Sequence, residues 1–342
     1  MRIMNNTLVN KETKLRKLID ILASGTQRTF IQMHNSPDPD SIGSAFGLQY
    51  LLRKAGIHAD ICYNGEIEKN STSRMVELLD ISLKKIKDIH DITENDYIVL
   101  VDSQKGNSNI TDFITGKIAS IDHHPVFQKA DYIFEDIRPQ VGACSSIIAE
   151  YFVENGAEVP KDVATALLYG IKTDTLDLSR GVSELDLDMF YMLFKAADTD
   201  LLNLIQINKL RFSDLSAYSN AINNIKIHGN IGIAFIGNDC PDSLLGTISD
   251  FIMSLGEVEL SIVYSRRKEG VKFSVRNETD YYDAGKLIVE FLDGFGSGGG
   301  HKSMAGGFIP ASSISVSWPD FSSFLENRIL ETLGRYSRSQ NL

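Results

Sequence analysis

HNSPDPDS, residues 34–41, follows directly on the apolar run Thr29-Phe30-Ile31-Gln32-Met33. The run reads as a strand, rich in β-branched and aromatic residues. Prolines and aspartates suit a surface turn, but His34 has no evident place in one. Pro37 and Pro39 push the residues before them out of helical geometry, which holds Asp38 extended. Beyond Asp40, the stretch Ser41 to Lys54 carries an apolar face of Ile42, Ala45, Phe46, Leu48 and Leu52 and predicts a helix. Ser41, Gly43 and Ser44 either let that helix start close to a site or serve as ordinary helix-start residues.

The same alternation continues along the chain. Ala59 to Tyr63, Tyr97 to Val101 and Lys117 to Ile121 read as further strands, and Ser71 to Leu79 as a helix. Strands alternating with helices indicate a parallel α/β sheet. After Asp122 the pattern turns helical, at Cys144 to Val153, Lys161 to Ile171 and Glu184 to Ala196, with few strand signals. A first domain over residues 1–196 is expected, then a helical connector over 197–225, then a smaller α/β domain over 226–342. In that domain Ile231 to Phe235, Glu257 to Tyr264 and Val271 to Val275 read as strands and Asp283 to Leu292 as a helix. Five glycines fall within the seven residues Gly294 to Gly300, ahead of His301. So dense a run predicts a flexible loop that brings backbone close to a ligand.

Composition narrows the function. At 342 residues two domains are the natural expectation. Apolar residues at 43% and charged residues at 23% match globular usage. There is no stretch of about 18 apolar residues that would span a membrane. The N-terminus lacks the apolar core and small-residue cleavage site of a secretory signal, so a cytoplasmic protein is expected. Cys62, Cys144 and Cys240 are odd in number and lie in apolar contexts, as reduced core residues do. A net charge of −11 disfavours a broad surface for long nucleic acid. Short anionic substrates remain compatible with it, because metal ions can attract phosphate to an acidic protein.

Chemistry concentrates at one edge of the expected sheet. Ligands bind outside the carboxyl ends of parallel strands. His34, Asp38 and Asp40 follow the first strand, Asp102 ends Tyr97 to Val101, and Asp122, His123 and His124 follow Lys117 to Ile121. Several carboxylates at one edge repel each other unless cations neutralise them. Histidine with carboxylates and no cysteine favours Mn²⁺, with Mg²⁺, Co²⁺, Fe²⁺ or Zn²⁺ as alternatives. So many donors imply two ions, roughly 3.5 to 4 Å apart, with a bridging hydroxide that attacks phosphorus. Asp174, in Tyr169-Gly170-Ile171-Lys172-Thr173-Asp174-Thr175, is either a fourth contributor or a helix cap.

Four stretches in order, HNSPDPDSIGS (34–44), LVDSQ (100–104), IDHHP (121–125) and YGIKTDTLDLSR (169–180), resemble the motifs of the DHH family of phosphoesterases. GSGGGHKSMAGGF (296–308) resembles the glycine-histidine signature of that family's associated C-terminal domain. The resemblance implies an active site in an interdomain cleft. One ion is implied on His34, Asp38 and Asp102, and a second on Asp40, Asp102, His123 and Asp174. His124 is implied to contact the scissile phosphate or protonate the leaving oxygen, with Asp122 orienting a ligand. Gly299, Gly300 and His301 are implied to bind the substrate's terminal phosphate or nucleotide. Arg276 resembles the family's substrate arginine, whose planar fork suits phosphate.

Layout most resembles the nanoRNase and 3'-phosphoadenosine 5'-phosphate phosphatase group, although that group more often has PDGDA where this chain has PDPDS. The expected activity is Mn²⁺-dependent hydrolysis of short oligonucleotides, linear dinucleotides of the pApA type or phosphoadenosine phosphate. Alternatives are a cyclic-dinucleotide phosphodiesterase, a pyrophosphatase or exopolyphosphatase, a RecJ-like single-strand exonuclease, and a catalytically silent nucleotide-binding protein. The expected partner is a short nucleic acid or nucleotide substrate, without a membrane. A homodimer is allowed on the general ground that symmetric pairs are common.

Overall fold

The structure is a computed structural model. It describes residues 13–339 apart from 26, 91, 108, 113–116, 127, 208 and 209; residues 1–12, on which part of the signal-peptide reading falls, lie outside. The chain divides into two compact units, Met1–Lys209 and Leu210–Leu342.

The first unit runs α1 (Lys14–Ala23), β1 (Thr29–Gln32), α2 (Pro39–Lys54), β2 (Ala59–Tyr63), α3 (Asn70–Leu78), β3 (Leu83–Lys85), β4 (Tyr97–Val101), β5 (Ile118–Asp122), β6 (Phe134–Ile137), α4 (Cys144–Glu154), α5 (Lys161–Asp174), α6 (Glu184–Ala196) and α7 (Thr199–Ile207). Its six strands are all parallel, in the order β3-β2-β1-β4-β5-β6. The winding reverses between β1 and β4, and the crevice beyond that switch point is where such sheets bind ligands.

Strand residues alternate between two cores, as a period of two requires. Ile31, Val99, Val101, Ala119 and Ile121 join the main cluster with Ile42, Leu48, Ile147 and Leu167 of the helices. Phe30, Ile98, Leu100 and Ile118 face a smaller cluster that includes Ile110 and Ile86. Both faces are covered, which is why these strands read as continuous apolar runs. The helices α2 and α5 pack at backbone distance: a Cβ on Gly43 would meet the Ala166 carbonyl oxygen at 2.8 Å, and one on Gly170 would meet Asp40 Cα at 3.0 Å. Cβ-free positions in both helices therefore carry α5 against the start of α2.

The expectation of few strand signals after Asp122 is corrected by β6. Two of its four residues, Glu135 and Asp136, are acidic. Asp136 is nonetheless buried, satisfied by Arg138 Nε at 2.9 Å, Arg138 Nη2 at 2.8 Å and the Tyr151 hydroxyl at 2.8 Å.

The second unit runs α8 (Leu215–Asn224), β7 (Lys226–His228), β8 (Ile231–Asn238), α9 (Asp242–Met253), β9 (Leu260–Arg266), β10 (Gly270–Asn277), α10 (Ala284–Leu292), β11 (Ser297–Gly300), β12 (Met304–Pro310) and α11 (Trp318–Ser339). Its sheet, β11-β12-β10-β9-β8-β7, is mixed: β8 and β9 are parallel and the other pairs antiparallel.

The glycine run is not the loop expected from its composition. Ser297 to Gly300 pair with β12 as an edge strand. The physical reason is close packing. A Cβ on Gly298 or Gly307 would meet Ile288 Cγ1 of α10 at 2.9 and 2.8 Å respectively, and one on Gly285 would meet the Gly300 carbonyl oxygen at 2.6 Å. Absent side chains let the hairpin lie directly on α10. The three cysteines are buried and unpaired. Among the described residues no helix is long and apolar enough to cross a membrane.

Candidate metal centre

The opening motif does two things at once. Asp38 is the N-cap of α2, with φ −110° and ψ 179°, the extended geometry expected of a residue before proline. Its Oδ1 accepts from the Asp40 and Ser41 backbone N–H groups at 3.1 and 3.0 Å, while Ser41 Oγ receives the Asp38 N–H at 3.1 Å. Pro39 takes the first helical position, where a missing N–H costs nothing. This rigid start presents Asp40, fully buried, from the first turn of α2.

Asp40 is held by the neighbouring helix α4. Helix α4 begins without a side-chain cap of its own, and Asp40 supplies one: Cys144 N–H donates to Oδ2 at 2.7 Å and Ser145 N–H to Oδ1 at 2.8 Å. Helix N-termini favour negative charge, so α4 both orients and supports this carboxylate.

Asp102 directly follows β4 with φ +54°. A non-glycine residue in this left-handed region is strained by about 1–3 kcal/mol, a feature concentrated at functional sites. Its backbone N–H donates to the Ile121 carbonyl at 3.0 Å. Asp122, the buried end of β5, ties the next turn together: Oδ1 accepts from His123 N–H at 2.8 Å, His124 N–H at 3.2 Å and His124 Nδ1 at 2.9 Å, and Oδ2 accepts from Gln104 Nε2 at 2.7 Å. His123 Nδ1 lies 3.2 Å from the Val141 carbonyl. A carbonyl only accepts, so Nδ1 bears a proton, and it is Nε2 that faces the carboxylates, with a lone pair to offer a cation when the ring is neutral.

The side chains expected to act together are brought together. One donor group is His34, Asp38 and Asp102; a second is Asp40, His123 and Asp174; a third is Asp102, Asp122, His123 and His124. Within each group the donor atoms lie within 4.8 Å of one another. Asp102 faces both histidines, Oδ2 lying 3.6 Å from His34 Nε2 and Oδ1 3.2 Å from His123 Nε2. His123 Nε2 is also 3.2 Å from Asp174 Oδ2 and 3.8 Å from Asp40 Oδ2. Asp174 is the last residue of α5, so helix-end placement and contribution to the cluster coincide.

Electrostatics expose the strain of this arrangement. Burial, and then the charges of Asp102 and Asp174, push the Asp40 carboxyl well above its usual range. Burial likewise raises Asp174, with the charges of Asp38 and Asp102 adding to it. Burial opposes charge on Asp102 too, but His123 and His34 outweigh it and hold this carboxyl low. Burial lowers His34 and His123, and their carboxylate neighbours more than reverse the effect. Asp102 Oδ1 and His123 Nε2 are buried and, although 3.2 Å apart, lack a well-formed hydrogen bond. Buried polar atoms are rarely left so. A divalent cation between these donors satisfies both atoms and offsets the carboxylate repulsion, so the residues fit the ion that the donor chemistry implies.

The expected substrate residues lie in the second unit. Arg276, on β10, donates from Nε to Asp250 Oδ1 at 2.6 Å and from Nη1 to Ser274 Oγ at 3.0 Å and the Val275 carbonyl at 3.2 Å. Gly299 and Gly300 belong to β11, and His301 is exposed in the turn that follows. Gln104, the α4 N-terminus and Val141 were not singled out by motif. Gln104 stands inside LVDSQ, but only the fold joins it to Asp122, 18 positions away.

Parallel strands whose switch-point edge gathers histidines and aspartates into adjoining cation-holding groups define a metal-centre protein on a doubly wound sheet. The description "DHH family, N-terminal domain" matches residues 28–171 and "DHHA1 domain" matches residues 228–329. The chain is a DHH family protein with a DHHA1 C-terminal domain. An uncharacterized protein of Methanocaldococcus jannaschii is 28% identical over 312 residues, 87% of this chain and 64% of that protein. A probable manganese-dependent inorganic pyrophosphatase of Streptococcus thermophilus is 31% identical over 152 residues, 44% of this chain and 48% of that protein. The chain thus spans less than two thirds of the first relative's length and about half of the second's. Among solved structures, an exopolyphosphatase-related protein of Bacteroides fragilis superposes with a TM-score of 0.73 at 18% identity, over 93% of this chain and 97% of that one. Two of these three proteins carry pyrophosphatase or exopolyphosphatase-related names and none a nanoRNase name, so the comparisons support the family and not the expected nearness to the nanoRNase and phosphoadenosine phosphate phosphatase group.

Proposed function

We propose that this protein is a divalent-metal-dependent phosphoesterase, with Mn²⁺ the favoured ion. The observation that carries the reading is the pair of orphaned buried atoms, Asp102 Oδ1 and His123 Nε2, at the centre of a converged carboxylate-histidine cluster. His34, Asp38 and Asp102 would hold one ion, and Asp40, Asp102, His123 and Asp174 the other. Bound there, divalent ions supply Lewis-acid polarisation of a phosphoryl oxygen and a nucleophile usable at neutral pH.

The chain's own residues supply the rest. Burial lowers the His124 pKa, but the hydrogen bond to Asp122 and the charge of Asp102 more than reverse this and favour the protonated ring. A protonated imidazole beside the cluster can donate to a phosphate oxygen or to the leaving oxygen. Asp122, locked by Gln104 and two backbone N–H groups, fixes that ring's orientation. Arg276 and the Gly299-Gly300-His301 segment would bind a substrate phosphate or nucleotide, with the Asp250 carboxylate as the group a phosphate displaces from Arg276.

The net charge of −11 supports a short substrate over a long strand, and linear dinucleotides and phosphoadenosine phosphate lead the reading. A second reading, pyrophosphate or short polyphosphate, is favoured by the names of the relatives. The 31% identity with a pyrophosphatase covers 44% of this chain, which supports shared metal chemistry more than a shared substrate. A hydrolysis panel with Mn²⁺ over pApA, short RNA, phosphoadenosine phosphate, cyclic dinucleotides, pyrophosphate and polyphosphate tests both. pApA or phosphoadenosine phosphate is expected to rank first. Preference for pyrophosphate replaces the first reading with the second, and no metal-dependent turnover of any member overturns both.

A further inference from the structure

Asp186 belongs to none of the motifs, yet it is a fully buried carboxylate in the first turn of α6. As the third residue of a capping box with Ser183 it needs only to accept the Ser183 backbone N–H, at 2.8 Å. It does more. Oδ2 also accepts from Ser183 Oγ at 2.6 Å and from Gly142 N–H at 2.8 Å, and Oδ1 accepts from Ser146 Oγ at 2.5 Å. Capping residues ordinarily sit in water, and a buried carboxylate is costly unless every lone pair is met. A cap alone does not call for this burial.

The segment that Asp186 grips, residues 141–146, explains it. The Val141 carbonyl accepts from His123 Nδ1 and so determines that Nε2 faces the cluster. Cys144 and Ser145 hold the two oxygens of Asp40. Gly142, between them, has no room for a side chain: a Cβ would lie 2.7 Å from the Gly181 carbonyl oxygen, 2.9 Å from Asp186 Oδ2 and 2.9 Å from Thr175 Cγ2. Thr175 is the residue after Asp174. The backbone that supports Asp40 and His123 is therefore flanked by the two points, Gly142 and Ser146, that one carboxylate holds, and Thr175, next to Asp174, lies beside Gly142. None of the hydrogen bonds described for Asp186 goes to His34, Asp38 or Asp102.

We infer that Asp186 is a positioning residue for one cation of the pair, the one held by Asp40, His123 and Asp174, acting through the Gly142 and Ser146 contacts. This rests on the metal-centre reading above and adds an asymmetry that the reading does not contain.

The test is stepwise Mn²⁺ titration of the full chain, with free ion read by electron paramagnetic resonance, alongside thermal melting. Asp174→Asn identifies the binding step that belongs to this group. Asp186→Ala is expected to weaken that same step by about 10- to 100-fold, the usual effect of losing an outer support of a metal ligand, and to leave the other step unchanged. Asp186→Asn keeps an acceptor for Gly142 and Ser183 and restores the step, since the Ser146 hydroxyl can turn to accept from the amide. If Asp186→Ala does not fold, Ser146→Ala and Gly142→Ala carry the test and are expected to weaken the same step. Affinities unchanged from wild type at both steps in all these variants, or equal weakening of both steps in proportion to lost stability, overturns the inference alone. A wild-type protein that binds no Mn²⁺ overturns the metal-centre reading as well.

Discussion

The two units hold the polar residues proposed for function in different ways. In the first, Asp40, Asp102 and Asp122 are buried, and backbone N–H groups of α4 and of the His123-His124 turn hold Asp40 and Asp122 in place. In the second, Gly299, Gly300 and His301 are exposed on an edge strand and its turn, and Arg276 rests on Asp250, which is itself 46% exposed. A site built for bond cleavage needs donors fixed before the substrate arrives. A site built for recognition can exchange one partner for another on binding. Burial and backbone support thus set Asp40, Asp102 and Asp122 apart from the residues proposed for grip.

Substitutions on either side of this divide have different signatures. Asp102→Ala removes the carboxylate that faces both histidines, and is expected to abolish Mn²⁺-dependent hydrolysis of pApA while circular dichroism stays native. Retained turnover would dissolve the distinction drawn between the units. Arg276→Ala is expected to raise KM for terminally phosphorylated substrates by about tenfold or more, the scale of a lost charge-assisted hydrogen bond, with kcat little changed and Mn²⁺ affinity untouched. Arg276→Lys should recover only part of the loss, because an ammonium lacks the guanidinium's fork.

A smaller effect concerns the frame around the centre. Burial pushes the Asp136 carboxyl up, but Arg138 and Tyr151 outweigh it and hold it below its ordinary value. A depressed carboxyl contributes stability that is present above the unfolded pKa and is lost as pH falls through the folded one. Urea midpoints should therefore fall between pH 6 and pH 3. Asp136→Asn should be less stable than wild type near neutrality, and that gap should close in acid; a gap that stays constant would remove Asp136 from the account.

Much of the centre was legible in the sequence because its donors sit immediately after apolar strands. His34, Asp102 and the Asp122-His123-His124 triplet need only the rule that parallel sheets bind at their carboxyl edge. What supports them was not legible. Ser146 and Asp186 are 40 positions apart, and Asp40 and Cys144 are 104 apart, with no periodicity to connect them. Strand β6 was hidden for a different reason: an acidic pair signals a loop unless Asp136 is satisfied, here by Arg138 two positions on and by Tyr151 of α4. The glycine run failed in the other direction. Its composition suggests a mobile loop, but its glycines remove side chains where β11 must lie on α10.

The central claim is that these carboxylates and histidines form a centre for two divalent ions. Mn²⁺ stoichiometry tests it most directly, measured by equilibrium titration of the wild-type chain and of Asp102→Ala. The account predicts two ions per wild-type chain and loss of both tight sites in the variant. One ion or none in the wild type, or two tight ions retained without Asp102, would contradict it.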